Sequence, residues 1–144
     1  MARILALDIG EKRIGLALSD PQDSLAFPFG TIEPQKEEPI SEIKKICQEN
    51  DVFKIVIGLP LTMRGEEGEE AKKVKKFAQR LASRLSLEII FEDERLTSQL
   101  VEKLLITEGA SRKRRKSLKD TLAAKFILQG YLDKEKAKNE DRSS

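Results

Sequence analysis

Residues 3–19 read RILALDIGEKRIGLALS. Two β-rich apolar runs, 3–9 and 13–19, flank the turn residues Gly10-Glu11-Lys12, which predicts an antiparallel hairpin. A third strand is expected within 24–33, where Pro28 and Gly30 weaken it or place it at a sheet edge. Pro34 closes it. Three strands running as a meander before any helix argue against a fully doubly wound parallel sheet.

Downstream, strands alternate with helices. Ile40, Ile43, Ile46 and Cys47 recur at helical spacing within 39–50, and Pro39 suits the first turn. Residues 53–58 form a buried-type strand that ends at Gly58-Leu59-Pro60. A helix is expected over 68–85, with Ala71, Val74, Phe77, Ala78, Leu81, Ala82 and Leu85 on one stripe. Glu66, Glu67, Glu69 and Glu70 stand at its start and lysines follow, the order that suits the helix dipole. A strand over 87–92 runs into Asp93-Glu94-Arg95. Helices are expected over 97–106, with Thr97 as N-cap, and over 117–132. The order β-β-β-α-β-α-β-α-α favours an α/β fold, a mixed five-stranded sheet with helices on both faces. The expected organisation is one domain over 1–133 and a polar, disordered tail over 134–144.

Composition narrows the chemistry. Among 144 residues there is one Cys and no His. That excludes a Ser-His-Asp triad, a Cys-His pair, a His-ligated zinc, an intrachain disulfide and an iron–sulfur cluster. Any catalysis must use carboxylates, Lys, Arg, hydroxyls or an oxygen-liganded metal, for which Mg²⁺ or Mn²⁺ is the natural choice. No apolar run reaches the length of a membrane span, and the N-terminus does not read as a signal peptide. A reduced, cytoplasmic protein is expected, with no membrane partner.

Four features carry possible chemistry. Asp8 lies in a run where every neighbour is apolar, and a buried carboxylate is costly unless compensated. Its plain alternative is a turn-starting Asp bonded to the Gly10 or Glu11 amide. Asp93 and Glu94 end a strand, and strand geometry sends them to opposite faces, so they are not equivalent partners for one site. Asp120 follows Ser117-Leu118-Lys119, a capping-box pattern, yet it also shares a helix face with Ala123, Ala124 and Ile127. Finally, Arg112, Lys113, Arg114, Arg115 and Lys116 form a basic run that the net charge of +2 hides. It reads as a solvated loop or a cationic helix start, or as a contact to a phosphate backbone. Three acids on the first strand, a later strand end and the last helix can converge on one or two divalent cations for phosphodiester hydrolysis.

Asp8-Ile9-Gly10-x-Lys12-Arg13-Ile14-Gly15, Gly58-Leu59-Pro60-Leu61 with Gly65, Asp93-Glu94-Arg95-Leu96-Thr97, and Asp120-x-x-Ala123-Ala124 with Ile127-Leu128 together resemble the YqgF/RuvX family. The motifs span almost the whole chain in the family's order. The resemblance implies a ribonuclease-H-like fold with sheet order 3-2-1-4-5 and a metal-dependent nuclease that matures the 5′ end of 16S rRNA. It implies Asp8, Glu94 and Asp120 as catalytic acids and metal ligands, with Asp93 the alternative to Glu94. Lys12, Arg13, Arg95, Arg112, Lys113, Arg114 and Arg115 are the expected nucleic-acid contacts. Related resolvases place an acid at the end of the fourth strand, where this chain has Gly58-Leu59-Pro60.

The expected partners are precursor rRNA or branched DNA and, with the former, ribosomal or pre-ribosomal particles. The competing readings are a Holliday junction resolvase and a non-catalytic RNA-binding assembly factor. An actin-like ATPase needs two lobes of this fold, and the chain has residues for one. No dimer seam stands out, so a monomer or weak dimer is expected.

Overall fold

The computed structural model describes residues 2–94, 103 and 111–143, with the backbone alone for 112–118, 120 and 141–143. In chain order the elements are β1 (Arg3–Ile9), β2 (Ile14–Ser19), β3 (Ala26–Ile32), α1 (Pro39–Glu49), β4 (Val52–Leu59), α2 (Glu69–Arg84), β5 (Glu88–Asp93) and α3 (Arg112–Ser143). The strands form one sheet in the order β3-β2-β1-β4-β5. The hairpin and meander pair antiparallel, with Leu5 opposite Leu18 and Asp8 opposite Gly15. β4 joins β1 in parallel, Leu7 opposite Ile57, and β5 extends the parallel half. The expected order and mixed character of the sheet are what forms.

Alternation along β1 sorts the core into two faces. Leu5 and Leu7 are fully buried in a cluster with Ile40, Ile43, Val74 and Leu81, the face covered by α1 and α2. Ile4 and Ala6 belong to a second cluster with Ala17, Ala26, Val56, Ala124, Ile127 and Leu128, the face covered by α3. Alanines on both sides of this second seam let α3 lie close to the sheet. Asp8 continues the Ile4, Ala6 parity and Gly58 the Val56 parity, so both belong to the α3 face.

β3 is an edge strand, as Pro28 and Gly30 require, and its register with β2 shifts between Leu16 and Ala17. The β2–β3 connection is held from two sides. Asp20 accepts from the Ser24 and Leu25 amides at 2.7 and 3.0 Å. Gln129 on α3 accepts from the Ala26 amide at 2.9 Å. Buried Ser19 is satisfied, its Oγ accepting from the Ile4 amide at 2.8 Å and donating to Asp23 at 2.7 Å. Glu38 caps α1 through the Ile40 and Ser41 amides, ahead of Pro39 at the first helical position.

Two expectations need correction. The last helix begins at Arg112 rather than 117, and it continues to Ser143 rather than giving way to a disordered tail at 134. The basic run and the 134–143 stretch are rich in Lys, Arg, Glu and Ala, strong helix formers with no Gly or Pro among them. Lys134 on the extension bonds Glu92 of β5, and Lys138 reaches Glu135 at 3.4 Å. Ser117 therefore sits inside the helix and is not an N-cap, which removes the capping-box reading of Asp120. The helix expected over 97–106 falls outside the described residues, apart from helical Lys103.

Candidate active site

Asp8 is the penultimate residue of β1. Across the hairpin its partner is Gly15. On the other side, one step beyond the Leu7–Ile57 pair, stands Gly58. The carboxyl of Asp8 thus has no side chain beside it on either neighbouring strand at its own level. The turn reading fails in part, because the Gly10 amide donates to the Arg13 carbonyl at 2.9 Å and closes the hairpin instead.

Glu94 follows directly on β5. Its amide donates to the Leu59 carbonyl at 3.2 Å, which prolongs the β4–β5 ladder by one bond. Its carboxyl lies over Gly58, where Oε2 is 2.8 Å from the position a Cβ would take. There it shares a hydrogen bond with Asp8. Burial, the Asp8 charge, that bond, and the charges of Glu70 and Asp93 together push the Glu94 carboxyl up to about 9. Burial beside a second carboxyl thus favours the protonated form of Glu94.

Asp93 ends β5 opposite Leu59 and is exposed, so alternation separates the two acids as expected. Of the pair, Glu94 is the one that meets Asp8. Asp120 lies on the α3 backbone along the stripe of Ala123, Ala124 and Ile127, all buried. α3 runs back along β4, since Ile127 meets Gly58 near the end of that strand while Tyr131 accepts from Lys54 near its start at 2.9 Å. Asp120 precedes Ile127 and so belongs to the end of α3 that lies towards Asp8 and Glu94. Its side chain is not among those described. Among the described residues no set of three or more His, Cys, Asp or Glu side chains converges on a metal position.

The expected nucleic-acid contacts divide in the same way. Lys12 is exposed in the β1–β2 turn and Arg13, next to it, is half-buried. The backbone of Arg112, Lys113, Arg114 and Arg115 forms the start of α3, at the carboxylate end of the sheet. Arg95 is outside the described residues. Sequence reasoning missed Glu70, which it placed only in the acidic start of α2. The structure brings it within electrostatic reach of Glu94. Glu70 also lines a cleft of about 210 Å³ with Ile9, Gly10, Glu11 and Lys73, beginning one residue after Asp8. No sequence signal marked it, since the nearness of Glu70 to Glu94 arises only in the fold. A larger cleft, about 600 Å³, opens at the other end of β1 and β4 beside Ile4 and Lys54, away from the carboxyl pair.

The sequence profile described as "RuvX: Holliday junction resolvase" matches residues 2–134. The chain belongs to the RuvX family. It is 45% identical over 141 residues to a protein of Chloroflexus aurantiacus named as a proposed pre-16S rRNA nuclease, covering 97% of this chain and 92% of that one. A relative of the same name from Sulfurihydrogenibium is 46% identical over 142 residues, covering 97% and 96%. Among solved structures, Thermus thermophilus RuvC in complex with a Holliday junction substrate superposes with TM-score 0.53 at 15% identity, over 92% of this chain and 94% of that one. A second structure of that RuvC gives TM-score 0.51 at 12% identity, over 94% and 96%. At such identities the likeness establishes the ribonuclease-H-like fold and no more. The RuvX sequence motifs fall on β1 and its turn, the end of β4, the end of β5 and the α3 stripe, and the first three of these adjoin one another at the Asp8–Glu94 pair.

Proposed function

We propose that this RuvX chain is a metal-dependent endonuclease that hydrolyses phosphodiester bonds in the 5′-end maturation of pre-16S rRNA. The observation that carries the reading is the Asp8–Glu94 pair, two carboxyls in contact at the carboxyl ends of β1 and β5. Without a cation between them, one must keep a proton. The donor set is all oxygen, which fits Mg²⁺ or Mn²⁺. Asp8 and Glu94 are the ligands the pair provides, with Asp120 the third and Asp93 the exposed alternative. When bound, the cation would activate the attacking water and stabilise the leaving oxygen.

The chain's own residues do the rest. The proton that the pair holds must leave before both carboxylates can act as ligands. Gly15, opposite Asp8 across the hairpin, places no side chain beside its carboxyl. The basic start of α3 binds the RNA backbone. Five cations at a helix N-terminus, with no acid in the first turn, oppose the helix dipole. An anionic partner removes that conflict, which supports Arg112, Lys113, Arg114 and Arg115 as phosphate contacts. Lys12 and Arg13, in and beside the β1–β2 turn, flank the same end, and Arg95 follows Glu94 in sequence. The names of the relatives favour precursor rRNA, and with it a pre-ribosomal particle in the cytoplasm, met by a monomer or weak dimer.

The family's description favours a second reading, cleavage of four-way DNA junctions. The test is cleavage of a precursor 16S rRNA fragment beside a four-way junction, by wild type and Asp8→Asn, with Mn²⁺. Cleavage of the RNA that depends on Asp8 supports the first reading. Cleavage of the junction alone supports the second. Cleavage of neither, with the RNA bound, leaves a non-catalytic assembly factor.

A further inference from the structure

We propose that Gly58 is a positioning residue: its missing side chain is the slot that lets the Glu94 carboxyl reach Asp8. The proposal rests on the reading of Asp8 and Glu94 as catalytic acids. Gly58 is buried in β4, on the face covered by α3. It is not one of the glycines with positive φ, so its backbone is one that any residue adopts. A glycine in a strand interior weakens the strand, and it is kept where something must approach closely. What approaches is specific. A Cβ at position 58 would stand 2.8 Å from Glu94 Oε2, 3.0 Å from Glu94 Cδ and 2.5 Å from Ile127 Cδ1.

These two neighbours differ in what they can give. Cδ1 is the end of an aliphatic side chain, and Ile127→Val removes that atom alone. The Glu94 carboxyl is the group that bonds Asp8, so a shift that makes room for a Cβ at 58 disturbs that bond, while the Glu94 amide stays on the Leu59 carbonyl at 3.2 Å. A methyl group at 58 therefore separates the two carboxyls even when Ile127 has made room.

The experiment compares wild type, Gly58→Ala, Ile127→Val, the Gly58→Ala/Ile127→Val double variant and Glu94→Gln. Each is measured for kcat and KM on a precursor 16S rRNA fragment, for Mn²⁺ binding by electron paramagnetic resonance of the free ion, and for thermal unfolding. Ile127→Val should match wild type in activity. The double variant should unfold at the temperature of Ile127→Val yet lose about a hundredfold in kcat at unchanged KM. It should also bind Mn²⁺ about tenfold more weakly. A double variant with the kcat and Mn²⁺ affinity of Ile127→Val overturns the proposal and assigns the slot to packing against Ile127. Glu94→Gln with undiminished cleavage overturns both the proposal and the reading beneath it. Inactive Glu94→Gln beside a fully active double variant overturns the proposal alone.

Discussion

Asp8 and Glu94 meet at the carboxyl ends of β1 and β5, joined by a hydrogen bond above Gly58. Burial and the Asp8 charge raise Glu94 to about 9, against an ordinary value of 4.5. In the unfolded chain Glu94 titrates at its ordinary value. Between those limits the folded state binds the extra proton, so the stability gained from holding it is complete at low pH and is lost as pH rises towards 9. Urea unfolding at pH 5, 7 and 9 should show this decline in wild type, and Glu94→Gln should flatten it. Equal pH slopes in the two proteins would remove the pair as its source.

A divalent cation should act in the opposite direction. It competes with the Glu94 proton, so Mn²⁺ should raise the unfolding temperature, and more at pH 8 than at pH 6. Differential scanning fluorimetry with and without Mn²⁺ measures the increment. Asp8→Asn and Glu94→Gln should each lose most of it, and an unchanged increment in both would place the cation elsewhere.

The basic start of α3 should matter for binding and little for folding. Arg112→Ala, Lys113→Ala, Arg114→Ala and Arg115→Ala combined should weaken RNA binding. The combined variant should also reduce the log–log salt slope by about 0.7 for each phosphate that is no longer neutralised. Because those cations oppose the helix dipole, the variant should unfold no earlier than wild type. Fluorescence anisotropy across a salt series measures the slope, and an unaltered slope would return the run to a solvated helix face.

The α3 seam depends on small residues. Ala124 is fully buried between the helix and Ala6, Ala17 and Val56. Ala124→Leu should cost about 1–3 kcal/mol through overpacking. It should also lower cleavage, since the same helix carries Asp120 to the carboxylate end of the sheet. Full stability in the variant would mean the seam is looser than its alanines imply.

The sheet was legible in residues 3–19, because two apolar runs of strand length around Gly10 admit little but a hairpin. α2 was legible because Ala71, Val74, Ala78 and Leu81 hold helical spacing and are all buried. The two ends of α3 were not. A basic run looks like a loop and a polar stretch looks like a frayed tail when hydrophobic spacing is the guide. Helix propensity favours both, with no Gly or Pro to interrupt either stretch.

The site divides along similar lines. Asp8 stood out because a carboxylate in an apolar strand demands a partner. Alternation separated Asp93 from Glu94 but could not choose between them. What sets them apart lies on another strand: the Glu94 carboxyl is over Gly58, and Asp93 is exposed. Glu70 was invisible for the same reason, since its nearness to Glu94 arises only when α2 and β5 pack on β4.

Undiminished cleavage by Asp8→Asn, or in excess EDTA, would contradict a carboxylate-held metal nuclease. Wild type with Mn²⁺ is expected to cleave a precursor 16S rRNA fragment, EDTA to stop it, and Asp8→Asn to be slower by about a hundredfold or more. The rate of that single cleavage, measured for the two proteins side by side, is the most direct test of the central claim.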